Sequence, residues 1–309
     1  MKIGVQHGIA DPNWSRDILS PSALTSFVRT AEECGFDAIG FTDHPAPPVK
    51  WVAGGGEGSA DPFASLAFCA AVTTRIRLLT WVLAAGYRNP LFTAHQISTL
   101  DHLSAGRLTL GLGTGYLRGE FRAAGADFNR RRTALDELLA LLPAAWNGTT
   151  AGEGLGWTAP GNVVQPPPVQ SPRPPIWIHG NSAWGTERAA RADGWIGVIT
   201  TEAMTRTIRT TAIPDHIALG AGINRVLDVR DRLGRSSDPF DIVVTAALPT
   251  FDIRRPWNIE QVRDQIGRLE ELGATWLMIN VIGDAPEASI ATVQKFADDF
   301  IAAGSPAGV

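Results

Sequence analysis

Asp43 and His44 stand side by side at the end of the apolar run Ala38–Phe41. The same abrupt change from apolar to polar recurs along the chain, at Gln6 and His7, Tyr87 and Arg88, Thr114 and Tyr116, His179 and Asn181, and Thr200. Imidazole titrates near neutral pH, so a histidine in such a place can take or give a proton during a reaction. A neighbouring carboxylate can orient it and favour its charged form. A metal pair at Asp43-His44, with His7 and His179 at other strand ends, is a second chemistry these residues allow. His95 and His102 read as ordinary helix histidines, and His216 gets no role.

The elements that must position these residues are clearest from Arg75 to Gly115. Ile76–Leu83 is an apolar run without polar alternation, as in a strand buried on both faces. Asn89-Pro90 opens a helix with apolar positions Leu91, Ala94, Ile97 and Leu100, and Leu108–Leu112 is a second buried strand. The connection is long enough for a right-handed crossover, so the unit is βαβ. Lys2–Gln6, Ala38–Phe41, Ile176–His179, Trp195–Ile199, Ile242–Leu248 and Trp276–Val281 read as further strands, separated by helices. Eight such units predict a single α/β domain over 1–309, a (β/α)8 TIM barrel with insertions, in which polar strand-end residues surround one mouth. Residues 45–61 are too irregular for core and are expected to form a lid-like or substrate loop. The proline-rich stretch 147–175 reads as an excursion from the barrel, with a hairpin expected around Val163-Val164. The last few residues are expected to fray.

Composition narrows the partners. The chain has 309 residues, 27 basic against 31 acidic side chains and a formal net charge of −4. There is no basic block, which argues against nucleic acid. No apolar run is long enough to span a membrane, and no signal peptide precedes the first strand, so a cytoplasmic protein is expected. Cys34 and Cys69 read as two reduced thiols.

The segments AEECGFDAIGFTDH (Ala31–His44), DPFASLAFCAAVTTRIRLLT (Asp61–Thr80), NPLFTAHQISTLDHLSAGRLTLGLGTG (Asn89–Gly115) and PPIWIHGNSAWGTERAARADGW (Pro174–Trp195) resemble the luciferase-like monooxygenase superfamily, including its coenzyme F420-dependent branch. The resemblance implies an oxidoreductase with a flavin or deazaflavin ring at the barrel mouth. The ring would rest on a bulge, often with a cis peptide, at Trp81–Val82; packing in an ordinary strand is the other reading of Trp81. The phosphate end would lie at His179, Gly180, Asn181 and Ser182, where capping of the next helix is the plainer reading. Arg107 matches an arginine that approaches the phosphate, with strand pinning as the alternative. Asp43-His44 matches the pair ending the second strand of F420 enzymes, which implies that His44 handles the proton and Asp43 supports it. Tyr116 stands where sugar-phosphate dehydrogenases of this branch carry a glutamate, which argues against that substrate. His7, Trp14 and Trp51 are expected at the substrate wall.

The expected function is F420-dependent hydride transfer to or from a small, partly apolar organic molecule, in a homodimer. The alternatives are an FMN-dependent monooxygenase and a non-catalytic flavin- or deazaflavin-binding barrel.

Overall fold

The computed structural model describes residues 1–301. The terminal residues 302–309, expected to fray, lie outside the described residues. In chain order the elements are β1 (Lys2–Gln6), α1 (Pro21–Glu33), β2 (Ala38–Phe41), α2 (Val49–Ala53), α3 (Pro62–Val72), β3 (Arg77–Ala84), α4 (Pro90–Leu103) and β4 (Leu108–Gly113). There follow α5 (Arg118–Ala123), α6 (Arg131–Asn147), β5 (Thr150–Gly154), β6 (Trp157–Asn162), β7 (Ile176–His179), α7 (Ala183–Arg191) and β8 (Gly194–Val198). The chain continues through α8 (Glu202–Ile208), α9 (His216–Arg232), β9 (Asp241–Thr245), α10 (Ile259–Glu271), β10 (Trp276–Asn280) and α11 (Pro286–Phe300).

Eight of these strands close into a parallel barrel in the order β1-β10-β9-β8-β7-β4-β3-β2. The chain therefore folds as a single-domain (β/α)8 TIM barrel. Three helices start by one local device: Ser20, Asp61 and Asn89 cap α1, α3 and α4 with their side chains, and a proline follows each. Such a cap binds an otherwise unpaired amide, and the proline's fixed φ suits the first helical position. Strands β5 and β6 form a two-stranded antiparallel hairpin outside the barrel. The hairpin lies earlier than Val163-Val164, because Gly156 at φ 73° makes its turn and Val164 instead bonds back to Ala145. Among the described residues no helix is long and apolar enough to cross a membrane.

The barrel interior has a filled lower half and an open upper half. Ala38, Leu79, Trp177, Ile196, Val243, Trp276 and Met278 make one buried cluster, with Trp81 at its upper edge. The Trp177 and Trp276 rings meet edge to face at 5.1 Å, and both indole N–H groups donate to the Asp241 carboxylate, at 3.2 and 2.9 Å. A strand's side chains alternate between faces, so the next inward positions toward the mouth are two residues on. These are Gln6, Gly113, His179, Val198, Thr245 and Asn280, a more polar and partly smaller set. Space and chemistry therefore coincide at the carboxyl ends of the strands.

The same alternation turns His7 the other way. It lies outside the barrel wall, 2% exposed, stacked on Phe41 at 4.8 Å and edge-on to Phe27 at 5.0 Å. Its Nδ1 accepts the Ile9 amide, and burial lowers its pKa from the usual 6.5 to about 3. The native fold thus refuses a proton that the unfolded chain takes up. Its contribution is whole above pH 6.5 and is lost as pH falls toward 3. Between pH 6.5 and 5 this one group should remove about 2 kcal/mol of stability. Urea unfolding of wild type and His7→Phe at pH 7 and pH 5 checks this: the variant should lose less on acidification, and equal losses would refute it.

Candidate active site

A cavity of about 240 Å³ opens at the mouth. Its lining includes His44 from the end of β2, Trp81 and Val82 from β3, Tyr116 after β4, Glu120 on α5 and His179 from β7. The Trp81–Val82 peptide is cis, and the pairing of β3 with β4 shifts register between Thr80 and Leu83. The bulge thus lies where the resemblance places it. A Cβ on Gly113 would stand 3.0 Å from Val82 Cγ2, so glycine keeps the neighbouring strand β4 clear of the bulge.

His44 is held on both ring nitrogens. Its Nδ1 lies 3.1 Å from Glu120 Oε2, and its Nε2 lies 3.3 Å from Glu57 Oε1 and 3.1 Å from the Tyr116 hydroxyl. Burial alone would lower the imidazole pKa. The hydrogen bonds and charges of Glu120 and Glu57 outweigh it and hold the pKa at about 9. At neutral pH His44 is therefore an imidazolium that donates from both nitrogens. Burial, reinforced by Glu57 and Glu120, pushes the Tyr116 hydroxyl well above its ordinary value, so it stays protonated. Glu120 is 3% exposed, and its Oε1 has no hydrogen-bond partner among the described residues. A buried carboxylate oxygen without a partner is costly, and a ligand donor in the cavity would satisfy it.

Neither glutamate was among the expected site residues. Glu57 is the lone carboxylate of the glycine-rich loop GGGEGS, and Glu120 comes four residues after Tyr116. The signal for Glu120 was a one-turn spacing: Tyr116 ends the strand loop and α5 brings Glu120 round to the same imidazole. An acid thus reaches the mouth from α5, although Tyr116 occupies the position after the GTG turn. Loop 45–61 is not wholly irregular. It contains α2, and Trp51 on that helix packs at 6.0 Å from the His44 ring and donates its indole N–H to the Glu57 carbonyl at 2.9 Å. The loop thereby sets the Glu57 backbone beside the site. Trp14 sits behind it, against Gly58, and does not line the cavity.

Two expected roles, those of Asp43 and Arg107, need correction. Asp43 does not touch the His44 ring. Arg88 grips its carboxylate at 2.6 and 3.1 Å, and the Ala84 amide donates to it at 2.9 Å, so Asp43 ties β2 to the end of β3. Arg107 is at the opposite end of the barrel, at the entrance to β4. Its guanidinium donates to the carbonyls of Ser104, Ile76, Ala70 and Thr73, capping α3 and pinning the strand rather than meeting a phosphate. His7 borders a second lobe but is locked and neutral, and Gln6 faces the mouth in its place. Gly180, Asn181 and Ser182 lie beyond the cavity lining. The Asn181 side chain is consumed by Val198 and Thr211, and Ser182 caps α7. His179 lines the cavity, and burial lowers its pKa to about 4, so it is neutral.

A second lobe of about 290 Å³ adjoins the first through shared walls at Gln6 and Glu57. Among the described residues no three His, Cys, Asp or Glu side chains are grouped to hold a metal ion. The lining instead brings the Trp81–Val82 bulge, where a flat heteroaromatic group could rest, into one cavity with the hydrogen-bonding groups His44 and Tyr116.

The profile of the luciferase-like monooxygenase family matches residues 1–213. An uncharacterized protein of Mycobacterium tuberculosis is 30% identical, over 90% of this chain and 93% of its own. The F420-dependent glucose-6-phosphate dehydrogenase of Nocardia farcinica is 27% identical, over 92% and 87%. The FMNH2-dependent dimethylsulfone monooxygenase of Pseudomonas putida is 24% identical, over 66% and 57%. Among solved structures, the monooxygenase RslO1 of Streptomyces bottropensis superposes with a TM-score of 0.80 at 21% identity, covering 99% and 100% of the two chains.

Proposed function

Because this chain belongs to the luciferase-like monooxygenase family, whose members use flavin or deazaflavin cofactors, we propose that it is an oxidoreductase using the deazaflavin F420. The observation that carries this reading is the His44 imidazolium, clamped between Glu120 and Glu57 beside the Trp81–Val82 bulge. Trp81, Val82, Gly113 and His179 would hold the ring. When bound in its reduced form, the deazaflavin would supply the hydride and be left oxidised. A residue that is already protonated at neutral pH is suited to giving a proton, so the favoured direction is reduction of the substrate. The substrate then gains a hydride and a proton, two electrons in all, and His44 donates that proton through Nε2, directly or by way of the Tyr116 hydroxyl. Glu57, 28% exposed in its side chain, can return a proton from solvent to Nε2. The loop at 45–61 acts as a lid that limits water around the reacting atoms. A non-catalytic barrel would have little use for a buried charge of this kind.

The FMN-dependent reading remains the competitor, since the same barrel supports either ring. Fluorescence titration of the purified protein with F420 and with FMN separates them. The expected result is micromolar binding of F420 with weaker binding of FMN, and tight FMN binding with no response to F420 would reverse the order.

A further inference from the structure

We propose that Arg118, Arg131 and Arg209, gathered around the Phe128 ring beside the mouth, clamp the carboxylates of an acidic cofactor tail and so select a tailed deazaflavin over FMN. This rests on the F420 reading above and extends it from the ring to the far end of the cofactor.

The three guanidinium carbons lie 4.2, 4.1 and 5.5 Å from the centre of the Phe128 ring. Phe128 itself is 7% exposed, so the ring is a fixed platform on which the cations stack. Among the described residues none of the three makes a salt bridge, and Arg131 donates only to the Phe128 carbonyl, at 3.0 Å. Some other arginines are paired with acids, as are Arg88 with Asp43, Arg173 with Asp193 and Arg188 with Asp136. The acids of the local sequence are already engaged. Glu120 holds His44, and Asp127 accepts the Asn129 amide. Burial lowers the Arg131 pKa, and Arg132, Arg209 and Arg118 lower it further. Like charges held this close repel one another, and a bound polyanion would relieve that repulsion.

The position fits a tail leaving the cavity. Arg118 falls between Tyr116 and Glu120, which both line it, and Arg209 directly follows Ile208, which lines it too. Phe128 packs edge-on against Phe121 at 5.1 Å. Thr210 and Thr211, next to Arg209, hydrogen-bond Asn181 at the end of β7. The cations thus adjoin wall residues of the cavity, on the side where Thr210 and Thr211 meet Asn181. FMN ends at its phosphate. F420 continues beyond its phosphate into a chain of glutamates, and guanidinium forks match carboxylates in geometry as well as charge.

The test measures dissociation constants of F420 and of the same deazaflavin trimmed of its glutamates. Wild type is compared with the triple variant Arg118→Gln, Arg131→Gln, Arg209→Gln, and with the corresponding triple lysine variant, which keeps the charge. At low salt, wild type should bind the tailed form roughly ten- to a hundredfold more tightly, as expected for three partly exposed ion pairs. The preference should shrink in high salt. It should vanish in the glutamine variant, with affinity for the trimmed form unchanged, and largely survive in the lysine variant. Equal binding of the two forms by wild type, or an unchanged preference in the glutamine variant, overturns the clamp. If wild type binds neither deazaflavin, the F420 reading falls, and γ-linked tetraglutamate alone then decides the clamp by calorimetry. Binding to wild type that the glutamine variant loses supports it, and no binding ends it.

Discussion

Replacing His44 with alanine should lower the rate of hydride transfer by about 10² to 10⁴-fold, the usual worth of a positioned acid or base. Cofactor affinity should stay nearly unchanged. Single-turnover kinetics with prebound cofactor checks this, and equal loss of rate and affinity would make His44 a binding residue. The pH profile identifies the active form. Burial works against the charge on His44, but Glu120 and Glu57 prevail and set its pKa at about 9. If the imidazolium is the working form, kcat/KM should hold through neutral pH and fall above about 9. Glu120→Gln removes one of the two supporting charges. The alkaline limb should then move down toward the ordinary value near 6.5. A profile that rises through that range, or a limb that Glu120→Gln leaves in place, would show that His44 is not the acid.

Asp43→Ala should have the largest effect on stability. The Asp43 carboxylate is 1% exposed and accepts from both Arg88 and the Ala84 amide. Removing it strands a guanidinium that is only 15% exposed, together with a buried amide. Breaking a buried pair by deleting one partner costs about 3–5 kcal/mol. Denaturant unfolding should show a loss of that size for Asp43→Ala. The loss should be smaller for Asp43→Asn, whose amide oxygen still accepts a hydrogen bond. The pH profile separates this structural role from one in the chemistry. If Asp43 only joins the ends of β2 and β3, Asp43→Asn leaves the alkaline limb where it was, whereas a shifted limb would return Asp43 to the proton machinery.

The barrel was legible because its evidence is local. Buried parallel strands are apolar throughout, and Ser20-Pro21, Asp61-Pro62 and Asn89-Pro90 mark where helices begin. The mouth was legible only in part, because strand-end position does not say which way a side chain turns. Gln6 and His7 are neighbours, yet one faces the cavity and the other packs between two phenylalanines. Asp43 beside His44 suggested a partnership, but Arg88, distant in sequence, makes the better partner for that carboxylate. Arg107 was misplaced because the matching motif crosses from the end of α4 to the start of β4, at the far side of the barrel from the chemistry. Glu57 and Glu120 escaped notice because they reach His44 from 13 and 76 residues away, on a loop and a short helix whose courses depend on packing. The open Arg118, Arg131 and Arg209 group has the same origin: its members meet only because Phe128 offers one platform.

The two tryptophans and the aspartate that plug the lower barrel set a boundary for evolutionary change. Below it, each inward residue has its volume dictated by neighbours on every side, and drift there is nearly forbidden. Above it, His44 and Glu57 arrive on the connection after β2 and Glu120 on the one after β4, so either connecting segment can be exchanged while the foundation is inherited intact.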